Sequence, residues 1–139
     1  MIPLFLLAAA ASADLDALDQ AVARCDRHAA NPVFYGDSAR HSQFLLDAYR
    51  EQESIVNARI ALTDQRRSLR QPAAGAAPVK LADQKSLEKQ LDLQQADLDD
   101  RQKALNDQRM LEGIREDAMD SMRRYFLNNC QAGGNEKSK

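Results

Sequence analysis

The sequence has no tryptophan, and its 139 residues include only five glycines, four prolines and two cysteines. So few glycines and prolines leave few places where a helix must stop. Ala, Leu, Gln, Asp and Arg dominate between residues 37 and 130, and all but Asp are strong helix formers. An excess of positive charge is also missing: 19 Lys and Arg stand against 21 Asp and Glu, a net charge of −2. A mildly acidic chain lacks the basic footprint that general nucleic-acid binding requires. No nucleophile elbow, phosphate loop, His-Glu-x-x-His helix or zinc-finger spacing occurs. A slim helical chain also offers no concave pocket for small-molecule chemistry. The chain reads as non-enzymatic and without a cofactor.

One apolar run is present, Ile2 to Ala11, and no second one follows. At about 10 residues it is too short to span a bilayer, which takes roughly 20. Ala11-Ser12-Ala13 then supplies the small-x-small pattern cut by signal peptidases, and Asp14 opens a polar segment. Residues 1–13 are therefore expected to be a secretory signal, leaving no transmembrane span after cleavage. No cysteine follows the run, so a lipid anchor is not expected. The location is exported, periplasmic in the first instance, with simple secretion as the alternative.

In an oxidising compartment the even pair Cys25 and Cys130 reads first as a disulfide. The loop it closes is about 100 residues long, which the chain-entropy model values at roughly 4–5 kcal/mol. A metal reading stays open beside it. Cys25-x-x-His28 lies on one helix face, and Cys25, His28, His41 and Cys130 would suit tetrahedral zinc.

Leu15, Leu18, Val22 and Cys25 recur at helical spacing, which predicts a short helix over residues 14–30. Asn31-Pro32 is expected to break it, with a connector ending at Gly36. Asp37 or Ser38 then offers an N-cap for a second helix reaching Arg70. Its seam is read as Leu45, Ala48, Ile55, Leu62 and Leu69. Residues 71–79, reading QPAAGAAPV, form the turn. The third helix runs from Lys80 to Cys130 with Leu91, Leu98 and Leu105 seven apart. After residue 109 the pattern is read as Leu111, Ile114, Ala118, Met122, Tyr125 and Phe126. Residues 131–139 are expected to be a disordered tail.

The fold class expected is all-α: a long antiparallel, coiled-coil-like helical hairpin over residues 37–130, with the helix and connector of residues 14–36 at its base, closed by the disulfide. A turn centred at residues 75–76 brings Cys25 nearly level with Cys130, although cysteine chemistry played no part in placing the turn. Phe34, Tyr35, Phe44, Tyr49, Tyr125 and Phe126 would gather at the base, and no aromatic lies between residues 50 and 124. These six and Met110, Met119 and Met122 are read as core. Gln52, Arg59, Arg66, Gln94, Arg101 and Gln108 interrupt the seam. Such polar positions weaken a coiled coil but fix its register.

Seven cations, Arg59, Arg66, Arg67, Arg70, Lys80, Lys85 and Lys89, surround the turn against Asp64, Asp83 and Glu88, a local balance of +4. They are the candidate contact for an anionic partner. The function expected is an exported scaffold or adaptor of the cell envelope that presents its stalk and basic tip to another envelope protein or an anionic surface. Self-association along the stalk is a further expectation. Other readings remain open: a periplasmic holdase-type chaperone, a minor subunit of a secretion or conjugation apparatus, and a metal or redox sensor built on Cys25, His28, His41 and Cys130.

Overall fold

The structure, a computed structural model, describes residues 5–71, 75 and 81–130, with side chains from Asp14 onward. It is all-α. The helices are α1 (Phe5–Ala23), α2 (Arg27–Arg70) and α3 (Leu81–Asn129), with no strand among the described residues. None of these helices is long and apolar enough to cross a membrane. The signal-peptide boundary expected after Ala13 falls inside α1, and the expected tail lies outside the described residues.

The first break in the chain is not where Asn31-Pro32 suggested. α1 stops at Ala23, and α2 has begun by Arg27 and runs on through Pro32 and Gly36. Cys25 has a φ of 53°, the left-handed conformation that ends helices. The Cys25 amide donates to the Val22 carbonyl at 3.1 Å and the Asp26 amide to the Ala21 carbonyl at 2.8 Å. This is the Schellman pair of bonds, with a cysteine where glycine usually sits. Asp26 then caps α2, its Oδ1 accepting from the Ala29 amide at 3.1 Å. Pro32 lacks one N–H, so the His28 carbonyl loses one helical partner. Packing offsets that loss: Ala30, Val33 and Phe34 all join the adjacent core.

Two compact units divide the chain, Met1–Gln43 with Leu111–Lys139, and Phe44–Met110. In the first, Leu18, Ala21, Val22, Ala30, Met119, Phe126 and Cys130 form the buried core, with Leu15, Val33, Phe34 and Met122 against it. The Phe34 and Phe126 rings lie 5.6 Å apart, tilted by 55°. The Cys25–Cys130 disulfide is formed, with a Cα–Cα distance of 5.3 Å. An Arg27 guanidinium N–H donates to the Cys130 carbonyl at the end of α3.

In the second unit, Ala48, Ile55 and Leu105 form one cluster with Phe44, and Leu62, Leu91 and Leu98 another with Ala58 and Leu69. Partners on α2 and α3 run in opposite order. Gln52 and Gln102 exchange amide hydrogen bonds of 2.9 and 3.1 Å, Arg59 donates to Asp99 at 2.8 Å, and Arg66 to Asp92 at 2.9 Å. The polar seam positions of α2 thus find polar partners on α3, but at Gln102, Asp99 and Asp92 rather than at the expected α3 seam positions Gln94, Arg101 and Gln108. α2 ends at Arg70, and Gly75 takes a φ of 88°, which a side chain would disfavour.

Several expected core residues are exposed instead. Leu45 is on the surface, and Phe44 holds its place in the seam. Leu111, Ile114 and Met110 are also exposed. After 109, Glu112, Met119 and Phe126 continue the heptad of Leu91, Leu98 and Leu105 as buried residues of α3, and Arg115 is buried beside them. Of the six aromatics, only Phe34, Phe44 and Phe126 pack into cores, whereas Tyr35, Tyr49 and Tyr125 face solvent.

Candidate functional site

The chemistry-bearing residues fall into two groups, one in each unit. In the first unit, Asp37 and His41 sit one turn apart on α2, and Glu112 and Glu116 one turn apart on α3. Arg40 joins them. Its two terminal nitrogens donate to the two oxygens of Glu112 at 2.9 and 2.7 Å, and one also reaches Glu116 Oε1 at 2.8 Å. Arg40 Nε reaches Asp37 Oδ1 at 3.2 Å. His41 Nδ1 lies 2.8 Å from Glu112 Oε1 and 3.3 Å from Glu116 Oε1. Asp37 is 4% exposed and lies 3.5 Å from Arg115 and 3.9 Å from Arg123. Arg115 in turn reaches Asp14 at 3.4 Å. Arg123 also stacks over Phe34, 5.6 Å from the ring centre.

Burial pushes the Glu112 carboxyl up, but hydrogen bonds from Arg40 and His41 outweigh it and hold the group below its ordinary value. Burial and the nearby Asp37 charge raise Glu116. The hydrogen bond to Glu112 raises Arg40 against the opposing effect of its own burial. Donor atoms of His41, Glu112 and Glu116 lie within 4.8 Å of one another, close enough to share a cation. Arg40 already occupies the same carboxylate oxygens, so the arrangement is an ion-pair clasp between α2 and α3. Sequence reasoning missed it. The available signal was Glu112, an acid on the seven-residue repeat of buried α3 positions.

The zinc set weighed from the sequence does not assemble. Cys25 and Cys130 are joined to each other, so neither offers a thiolate. His28 is exposed, and His41 faces the two glutamates.

In the second unit the structure treats the seven candidate cations unequally. Arg59 is held by Asp99, Arg66 by Asp92, and Arg67 by Asp64 at 3.4 Å. Arg70, Lys85 and Lys89 are exposed and form no ion pair among the described residues. Lys80 lies outside those residues. A shallow surface groove on this unit is lined by Ala58, Leu62, Leu93, Gln94, Asp97, Leu98 and Arg101. Comparison with known proteins brings no further witness: no family model, curated protein or solved structure matches the chain.

Proposed function

We propose that this chain is an exported, non-enzymatic scaffold of the cell envelope, a long antiparallel hairpin of α2 and α3 whose turn end docks on an anionic envelope surface. The observation that carries the reading is the set Arg70, Lys85 and Lys89, exposed and without an ion pair among the described residues, while Arg59, Arg66 and Arg67 are held within the chain. Opposite-order contacts within each unit support the hairpin. Gln52 meets Gln102 and Arg66 meets Asp92 in one, and Arg40 meets Glu112 in the other. Export is supported by the apolar run ending at Ala11-Ser12-Ala13 and by a disulfide, which persists in oxidising compartments. Cleavage after Ala13 would leave Leu15, Leu18, Ala21 and Val22 in place for the core.

The test is co-sedimentation of the oxidised, processed protein with phosphatidylglycerol vesicles and with neutral phosphatidylcholine vesicles. Sedimentation with the anionic vesicles only, weakened by salt and lost in the Arg70→Glu, Lys85→Glu, Lys89→Glu variant, is the expected result. Equal behaviour of that variant and the parent chain sinks the reading. N-terminal sequencing of the exported protein is expected to begin at Asp14.

A further inference from the structure

α3 carries Glu112 and Glu116 one turn apart, and His41 on α2 faces both, all within the first unit. Glu112 is 8% exposed, at a heptad position that leucine fills elsewhere in α3. A carboxylate there needs a cation beside it. Arg40 provides one through a single atom: its Nη2 lies 2.7 Å from Glu112 Oε1 and 2.8 Å from Glu116 Oε1. His41 Nδ1 lies 2.8 Å and 3.3 Å from the same two oxygens. Two carboxylate oxygens and an imidazole nitrogen thus converge on one point, and a cationic nitrogen already marks it.

We propose that His41, Glu112 and Glu116 form a site for one zinc ion, which takes the place of the Arg40 guanidinium between α2 and α3. Geometry is the first argument. Donor atoms about 2.1 Å from a tetrahedral ion stand about 3.4 Å apart. His41 Nδ1 and Glu116 Oε1 are 3.3 Å apart, and donor atoms of all three residues lie within 4.8 Å of one another. Charge is the second argument. A guanidinium spreads one positive charge over three nitrogens, and this one faces two carboxylates. A dication neutralises both. The Arg40 side chain is partly exposed, and its Nε, 3.2 Å from Asp37, keeps that partner after the exchange.

Donor identity is the third argument. One nitrogen and two oxygens suit zinc, whereas magnesium and calcium prefer oxygen alone. Three protein ligands leave the fourth position of the ion to water. Zinc takes the Nδ1 lone pair of His41, so a proton on Nδ1 moves to Nε2, or leaves for solvent when the ring is an imidazolium. Neither cysteine nor His28 takes part, so the site coexists with the disulfide. The inference goes beyond the scaffold reading and depends neither on export nor on an anionic surface.

Calorimetric titration of zinc chloride into the full oxidised chain, freed of metal with a chelator, is the test, with thermal unfolding beside it. One zinc per chain is expected at micromolar concentration, with a rise in the unfolding temperature. His41→Gln and Glu116→Gln are each expected to weaken binding about 10-fold or more, and Arg40→Gln to tighten it. His28→Gln should leave it unaltered, and circular dichroism checks that each variant is helical. Nitrogen NMR is expected to show zinc shifting Nδ1 of His41 and leaving His28 unchanged. No binding at millimolar zinc overturns the proposal. So does binding that survives His41→Gln undiminished, or calcium bound as tightly as zinc, either of which reduces the cluster to a general acidic surface. Binding abolished by His28→Gln also overturns it and places the ion at the other histidine.

Discussion

At the scale of residues, the junction at Cys25 and Asp26 carries an unusual load. A cysteine in the left-handed region costs more than a glycine there, yet this residue must also reach Cys130. Asp26 completes the junction by capping α2. Asp26→Ala is expected to lower stability by about 0.5–2 kcal/mol, read from urea unfolding of the oxidised protein. Glu112 is the other decisive residue, a carboxylate in a buried heptad position made tolerable by Arg40 and His41. Its pKa is depressed on folding, so its contribution is present above the ordinary glutamate value of 4.5 and is lost as pH falls through the lower folded value. Glu116 works in the opposite sense: its raised pKa favours the folded state at low pH, and that contribution is lost as pH rises through the folded value. Glu112→Gln is expected to flatten the acid side of the stability profile, whereas Glu116→Gln is expected to steepen it. Urea titrations between neutral pH and pH about 3 distinguish the two.

At the scale of elements, α2 and α3 owe their pairing to a thin apolar seam and a set of polar pairs. Leu105 is 2% exposed, and Leu105→Ala is expected to cost about 2–5 kcal/mol. Leu93, 63% exposed on the same helix, is expected to change stability by no more than about 0.5 kcal/mol on substitution by alanine. Equal losses from the two would contradict the assigned seam. The clasp of Arg40 and Glu112 is a different kind of contact. A buried ion pair often adds little net stability, but removing one partner strands the other. Glu112→Ala is therefore expected to destabilise by about 1–3 kcal/mol. The pair substitution Arg40→Met with Glu112→Leu is expected to recover most of that loss in thermal unfolding.

At the scale of the whole molecule, the disulfide is the longest-range constraint, linking cysteines 105 residues apart in sequence. Reduction is expected to lower stability by up to about 4–5 kcal/mol through the loop entropy returned to the unfolded chain. Unfolding curves with and without reductant measure the difference, and intact mass confirms the thiol state. A reduced chain as stable as the oxidised one would mean that the two ends are held by packing alone.

Helix content, the ends of α2 at Arg70 and of α3 near Cys130, and the cysteine pairing were all legible in the sequence, because each rests on local chemistry or on the count of thiols. Heptad spacing also marked Ile55, Leu62, Leu91, Leu98 and Leu105 as seam, since a 3.5-residue period is a property of the sequence itself. The start of α2 was not legible. Pro32 and Gly36 are local stop signals, and the contacts of Ala30, Val33 and Phe34 that override them are made with residues far along the chain. The clasp was hidden for the same reason: nothing near Glu112 in sequence announces Arg40 or His41. Local propensity chose helices, and only distant side-chain partners decided where one helix stopped and which charges could be buried.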